Sequence, residues 1–77
     1  MRLPSGLTQK RWVSACEKLG LEISTKGGKG SHIKVICKGK GATTIPKNIN
    51  VGINKRLGSR LQQWGYSEEQ ICEALGI

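Results

Sequence analysis

The sequence predicts one α+β domain, a helix followed by a three-stranded antiparallel sheet and then two further helices. Three observations carry that prediction. Apolar residues recur at helical spacing near both ends, as Trp12, Ala15, Cys16 and Leu19, and as Ile53, Leu57, Leu61 and Trp64. Between them the period drops to two, in Ile33, Val35 and Cys37. Glycine-rich turns and Pro46 cut that middle region into short pieces. At 77 residues the chain has room for a single domain, residues 1–77.

The first helix is expected from Leu7 to Leu19, with Thr8 as N-cap and Leu7 stapled onto Trp12. Gly20 ends it in the left-handed conformation. Leu21 to Thr25 alternates as a half-buried strand, and Lys26-Gly27-Gly28-Lys29-Gly30 follows as a turn. Ser31 to Cys37 is the second strand, with Ile33, Val35 and Cys37 facing the core and His32 and Lys34 facing outward. Lys38-Gly39-Lys40-Gly41 is a hairpin turn, and Ala42 to Ile45 is a third strand stopped by Pro46. A helix then runs from the N-cap Asn50 to the stop at Gly65, and Gly58 inside it suggests close packing. Ser67-Glu68-Glu69-Gln70 is a capping box for a last helix that buries Ile71, Cys72 and Leu75, with Tyr66 and Ile71 as its staple. The expected plan is a sheet with helices on one face and an open, basic second face. In element order this is double-stranded-RNA-binding-domain-like.

Composition narrows the function. Apolar residues make up 36% of the chain, phenylalanine is absent, and the core must be Leu, Ile and Val around Trp12 and Trp64. So short a chain buries only about 60% of its unfolded surface. No deep pocket and no organic cofactor are expected. There are 13 Lys and Arg against 5 acids, a net charge of +8. All five acids are Glu, and none lies between Ile23 and Ser67, where nine basic residues sit. That pattern points to a polyanion, foremost nucleic acid. The lack of Asp argues against a carboxylate-bound metal pair, so no metal is expected. Cys16, Cys37 and Cys72 show neither disulfide nor zinc spacing and read as three buried thiols in a reducing cytoplasm. The chain starts without the apolar run of a secretion signal, and no segment reaches the ~18 apolar residues of a membrane span.

His32 is the single histidine. It follows a Gly-x-Gly-Ser junction whose backbone N–H groups can approach a phosphate, and it sits at the centre of the lysine-rich stretch. With one imidazole and no carboxylate cluster, catalysis requires a substrate that carries its own nucleophile. RNA does, because its 2′-hydroxyl adjoins the scissile phosphate. An imidazole can take that proton or protonate the leaving 5′ oxygen, and lysines can stabilise the phosphorane. The expected site is thus His32 as general acid/base, with Lys26, Lys29, Ser31, Lys34, Lys38, Lys40 and Lys47 holding RNA. Ser31 is not a nucleophile for His32, since neighbouring strand residues face opposite ways. The glycine turn is not a P-loop, because the required Gly-Lys-[Ser/Thr] ending is missing.

These residues resemble a family. Lys29-Gly30-Ser31-His32, a short apolar strand, Thr44-Ile45-Pro46 and the helix Leu57-Gly58-Ser59-Arg60-Leu61-Gln62-Gln63-Trp64-Gly65 are similar, in order and spacing, to HicA-type (YcfA-like) mRNA interferase toxins. The resemblance runs from about Lys10 to Leu75. It implies a toxin of a type II toxin–antitoxin system, an endoribonuclease acting through the histidine at His32, and a HicB-type antitoxin as partner. Many members carry a second His after the first, where this chain has Ile33, and a His-rich loop where it has Lys47-Asn48-Ile49-Asn50. Two rivals remain from the residues themselves: an RNA-binding module of the same fold without catalysis, and a basic face that binds an acidic protein.

Overall fold

The computed structural model describes residues 3–4, 6–24 and 32–77. Its order is α1 (Gln9–Lys18), β1 (Glu22–Ser24), β2 (Ile33–Cys37), β3 (Gly41–Ile45), α2 (Val51–Gln63) and α3 (Glu68–Leu75), the α-β-β-β-α-α order expected. The expected turn at 26–30 and residues Thr25 and Ser31 lie outside the described residues.

The helix ends form for the reasons the sequence supplies. Thr8 Oγ1 accepts from the Arg11 N–H at 3.2 Å, and Asn50 Oδ1 accepts from the Ile53 N–H at 2.9 Å. Ser67 and Gln70 close a reciprocal capping box. Gly20 and Gly65 take φ of 84° and 100° directly after α1 and α2, where any Cβ would be strained. There the Leu21 and Tyr66 N–H groups reach back to the carbonyls of Cys16 and Leu61, satisfying backbone acceptors the helix leaves open.

The sheet is an antiparallel meander in the order β1-β2-β3, with Val35 opposite both Ile23 and Thr43 and Lys34 opposite both Ser24 and Thr44. One face, including Ile23, Val35, Cys37 and Ile45, packs on the core under α1, which touches all three strands. α2 lies against β3, whereas α3 packs on α1 and α2 and not on the sheet. Trp12, Leu61, Ile71 and Leu75 are fully buried, and Trp64 is nearly so, placing both indoles in the core as expected. The one buried polar residue among those described is Asn54. Its Oδ1 accepts from the Trp12 indole N–H at 2.9 Å, and its amide donates to the Pro4 carbonyl.

Three expectations need correction. α3 buries Ile71, Ala74 and Leu75, while Cys72 is only half-buried. Residues 71, 74 and 75 share one helical face, and 72 lies about 100° off it. The three thiols are accordingly not all buried: Cys16 is, but Cys37 and Cys72 are partly exposed. Finally, the open sheet face is less basic than expected. Among the described strand residues it presents Glu22, Ser24, Lys34, Ile36, Ala42 and Thr44, one cation and one anion.

Candidate nucleic-acid interface

Period-two alternation puts the side chain of Lys34 on the open face, because Val35 must enter the core. His32 stands immediately before β2 and is exposed. It lies two residues before Lys34, at the end of the sheet where β2 begins. An open hollow of about 240 Å³ lies beside Lys34, walled by Ala42, Thr43 and Thr44. Small side chains opposite Lys34 keep that surface shallow, which suits a backbone phosphate better than an enclosed small molecule.

The register decides which lysines join this end of the sheet. Ile33 pairs with Ile45, so His32 and the residues after Pro46 emerge at the same end. Lys47 is exposed there. Lys38 and Lys40 belong to the hairpin at the other end, roughly 20 Å along the strand from His32 at about 3.3 Å per residue. Lys40 also has a role in the fold. Its Nζ donates to the Trp64 carbonyl at 2.7 Å, placing a cation at the C-terminus of α2 where the helix dipole favours it. Lys26, Lys29 and Ser31 lie outside the described residues. Of the eight expected site residues, the structure thus brings together His32, Lys34 and Lys47, and sets Lys38 and Lys40 apart.

A residue the sequence reading did not assign to the site joins it. Arg56, on α2, donates through Nη2 to the Thr44 carbonyl at 2.9 Å. Thr44 is the register partner of Lys34. The guanidinium consequently lies one strand away from the Lys34 position, at the β3 edge. The signal available in the sequence was its place within the acid-free stretch; the contact itself spans two elements and has no local signature.

Cys16 and Tyr66 lie elsewhere. Burial first, and the neighbouring Glu17 second, push the Cys16 thiol from 9.0 up to about 12. Burial, then the nearby Cys37 and Cys16, raises the Tyr66 phenol, whose hydroxyl donates to the Leu19 carbonyl at 3.1 Å. Both sit on the core side, away from His32.

No family model, curated protein or solved structure matches the chain in the three comparisons made with known proteins. Among the described residues, no helix is long and apolar enough to cross a membrane.

Proposed function

We propose that the chain is the toxin of a type II toxin–antitoxin system, a cytoplasmic, metal-independent endoribonuclease with His32 as its general acid/base. The observation that carries this reading is the exposed His32 beside Lys34 at the end of the sheet where Lys47 and Arg56 also emerge. In the reaction, the RNA 2′-oxygen bonds to the adjacent phosphorus and the bond to the 5′ oxygen breaks. The products are a 2′,3′-cyclic phosphate and a 5′-hydroxyl. His32 either takes the 2′-hydroxyl proton or gives a proton to the leaving oxygen. With one histidine in the chain, the other transfer falls to water or a lysine. Lys34, Lys47 and Arg56 offset the charge that develops on the phosphorane. An antitoxin of the HicB type would silence the enzyme by covering this face.

The test is RNA incubated with wild type and with His32→Ala, in EDTA. Cleavage by the wild type that is indifferent to EDTA and at least about 100-fold slower in the variant is the expected result. Equal binding with no cleavage by either protein would favour the RNA-binding module without catalysis. Restoration of activity by Mg²⁺ after its loss in EDTA would contradict the metal-independent chemistry.

A further inference from the structure

The solvent face of α2 carries more positive charge than its helix ends account for. Lys55, Arg56, Ser59, Arg60, Gln62 and Gln63 are all exposed along it, and α2 contains no acid. Arg56 and Arg60 are four residues apart, a like-charge pair on adjacent turns, which opposes helix formation. The first turn of α2 has no acid to meet the positive end of its dipole. The same chain does supply such acids elsewhere: Glu68 and Glu69 occupy the first turn of α3. Other cations answer to helix ends. Lys40 meets the last carbonyls of α2, Lys18 Nζ reaches the Ala74 carbonyl at 3.5 Å, and the Arg11 guanidinium lies against Gly76 at the end of α3. Arg60, in the last turn of α2, also meets the negative end of that helix's dipole, whereas Lys55 sits in its N-terminal half and has no such duty.

We propose that this face of α2 is a second RNA-backbone contact, made by Lys55, Arg56 and Arg60 and continuous with the His32 face around the β3 edge. Arg56 provides the continuity. It is anchored on the Thr44 carbonyl through one nitrogen, and its remaining N–H groups lie at an exposed position between the sheet face and the helix face. The partner chemistry follows from what the surface lacks. Trp12 and Trp64 are in the core, Tyr66 lies beyond the end of α2 beside Leu21 and Ile36, and α2 itself has no aromatic residue, so its solvent face offers no stacking platform for unstacked bases. What the face offers is phosphate-binding charge, which positions a strand without reading its sequence. α2 thus grips RNA flanking the linkage held at His32. This inference rests on the RNA reading above and adds Lys55 and Arg60 to it.

The experiment uses the full chain carrying His32→Ala, so that RNA is not consumed, and measures affinity for an unstructured RNA over a salt series. Lys55→Gln and Arg60→Gln are added singly and together, and Lys10→Gln, an exposed cation on α1, serves as control. The expected result is a slope of log affinity against log salt that shrinks by about 1 for each α2 cation removed. Affinity near 0.1 M salt should fall by about tenfold for the pair, with little change for Lys10→Gln. Homopolymeric RNAs of different base should lose affinity alike. Thermal melting of the double variant at or above the parent's temperature separates a binding role from a structural one. Unchanged slope and affinity in the double variant would overturn the α2 contact while leaving the RNA reading intact, and so would a loss just as large from Lys10→Gln. A parent protein that binds no RNA even at low salt would overturn the RNA reading and the α2 contact with it.

Discussion

Asn54 shows how one side chain can tie distant parts of a small core. The Trp12 indole is fully buried, so its N–H must find an acceptor, and Asn54 Oδ1 supplies it from 42 residues away. Asn54→Leu removes that acceptor and leaves the donor unsatisfied inside the core, which costs about 1–3 kcal/mol. Urea unfolding is expected to show that loss, and Trp12→Phe in the same background should recover part of it, since the orphaned donor is then gone. Cys16 makes a second residue-scale prediction, in pH. Its folded value is raised, so the folded thiol keeps its proton where the unfolded thiol has lost it. The stability it contributes is whole below about pH 9 and drains away as pH rises toward 12. At roughly 1.4 kcal/mol per pH unit, the full window is worth about 4 kcal/mol. The raised Tyr66 acts in the same direction. Stability measured at pH 8, 9.5 and 11 should fall, and fall less steeply in Cys16→Ala; parallel curves would show that Cys16 is not the source.

At the scale of elements, the helix termini were legible because they are local. Thr8, Asn50, Ser67, Gly20 and Gly65 each act within a few residues of themselves, and each takes the role its type suggested. Gly65→Ala is expected to cost about 1–2 kcal/mol, since a Cβ at φ 100° is strained regardless of the space around it. The Lys40 Nζ, 3.4 Å from where that Cβ would stand, adds a minor displacement. The melting temperature should drop with the helix order otherwise intact. What was not legible is what crosses elements. The Lys40 bond to the Trp64 carbonyl and the Arg56 bond to the Thr44 carbonyl join residues 24 and 12 positions apart, and no spacing rule announces them. The same limit explains the site. Alternation gave the outward His32 and Lys34, but the strand register had to be seen to learn that Lys47 shares their end and Lys38 does not. Cys72 departs from its expected burial because helical phase, not the usual burial of cysteine, decides which side of α3 it faces.

The whole molecule is a slab of 31 × 28 × 18 Å carrying +8. Its acids are gathered toward one part of the chain, with Glu68, Glu69 and Glu73 all on α3, so the cations of β2, the 46–50 loop and α2 repel one another with little internal relief. At about 0.01 M salt the screening length is roughly 30 Å, as long as the molecule itself, and every cation feels the rest; at 0.15 M it is about 8 Å and only near neighbours interact. Raising salt across that range should therefore stabilise the protein alone, because self-repulsion is a cost borne by the compact state. RNA must behave in the opposite way. A bound polyanion stabilises the fold by mass action, and salt weakens that binding steeply. Melting curves with and without RNA are thus expected to converge as salt rises, from below for the free protein and from above for the complex. Curves that stay parallel across the salt range would mean that the charge does not engage RNA. A free protein whose melting temperature falls with added salt would mean that attractive pairs, not repulsion, dominate its surface.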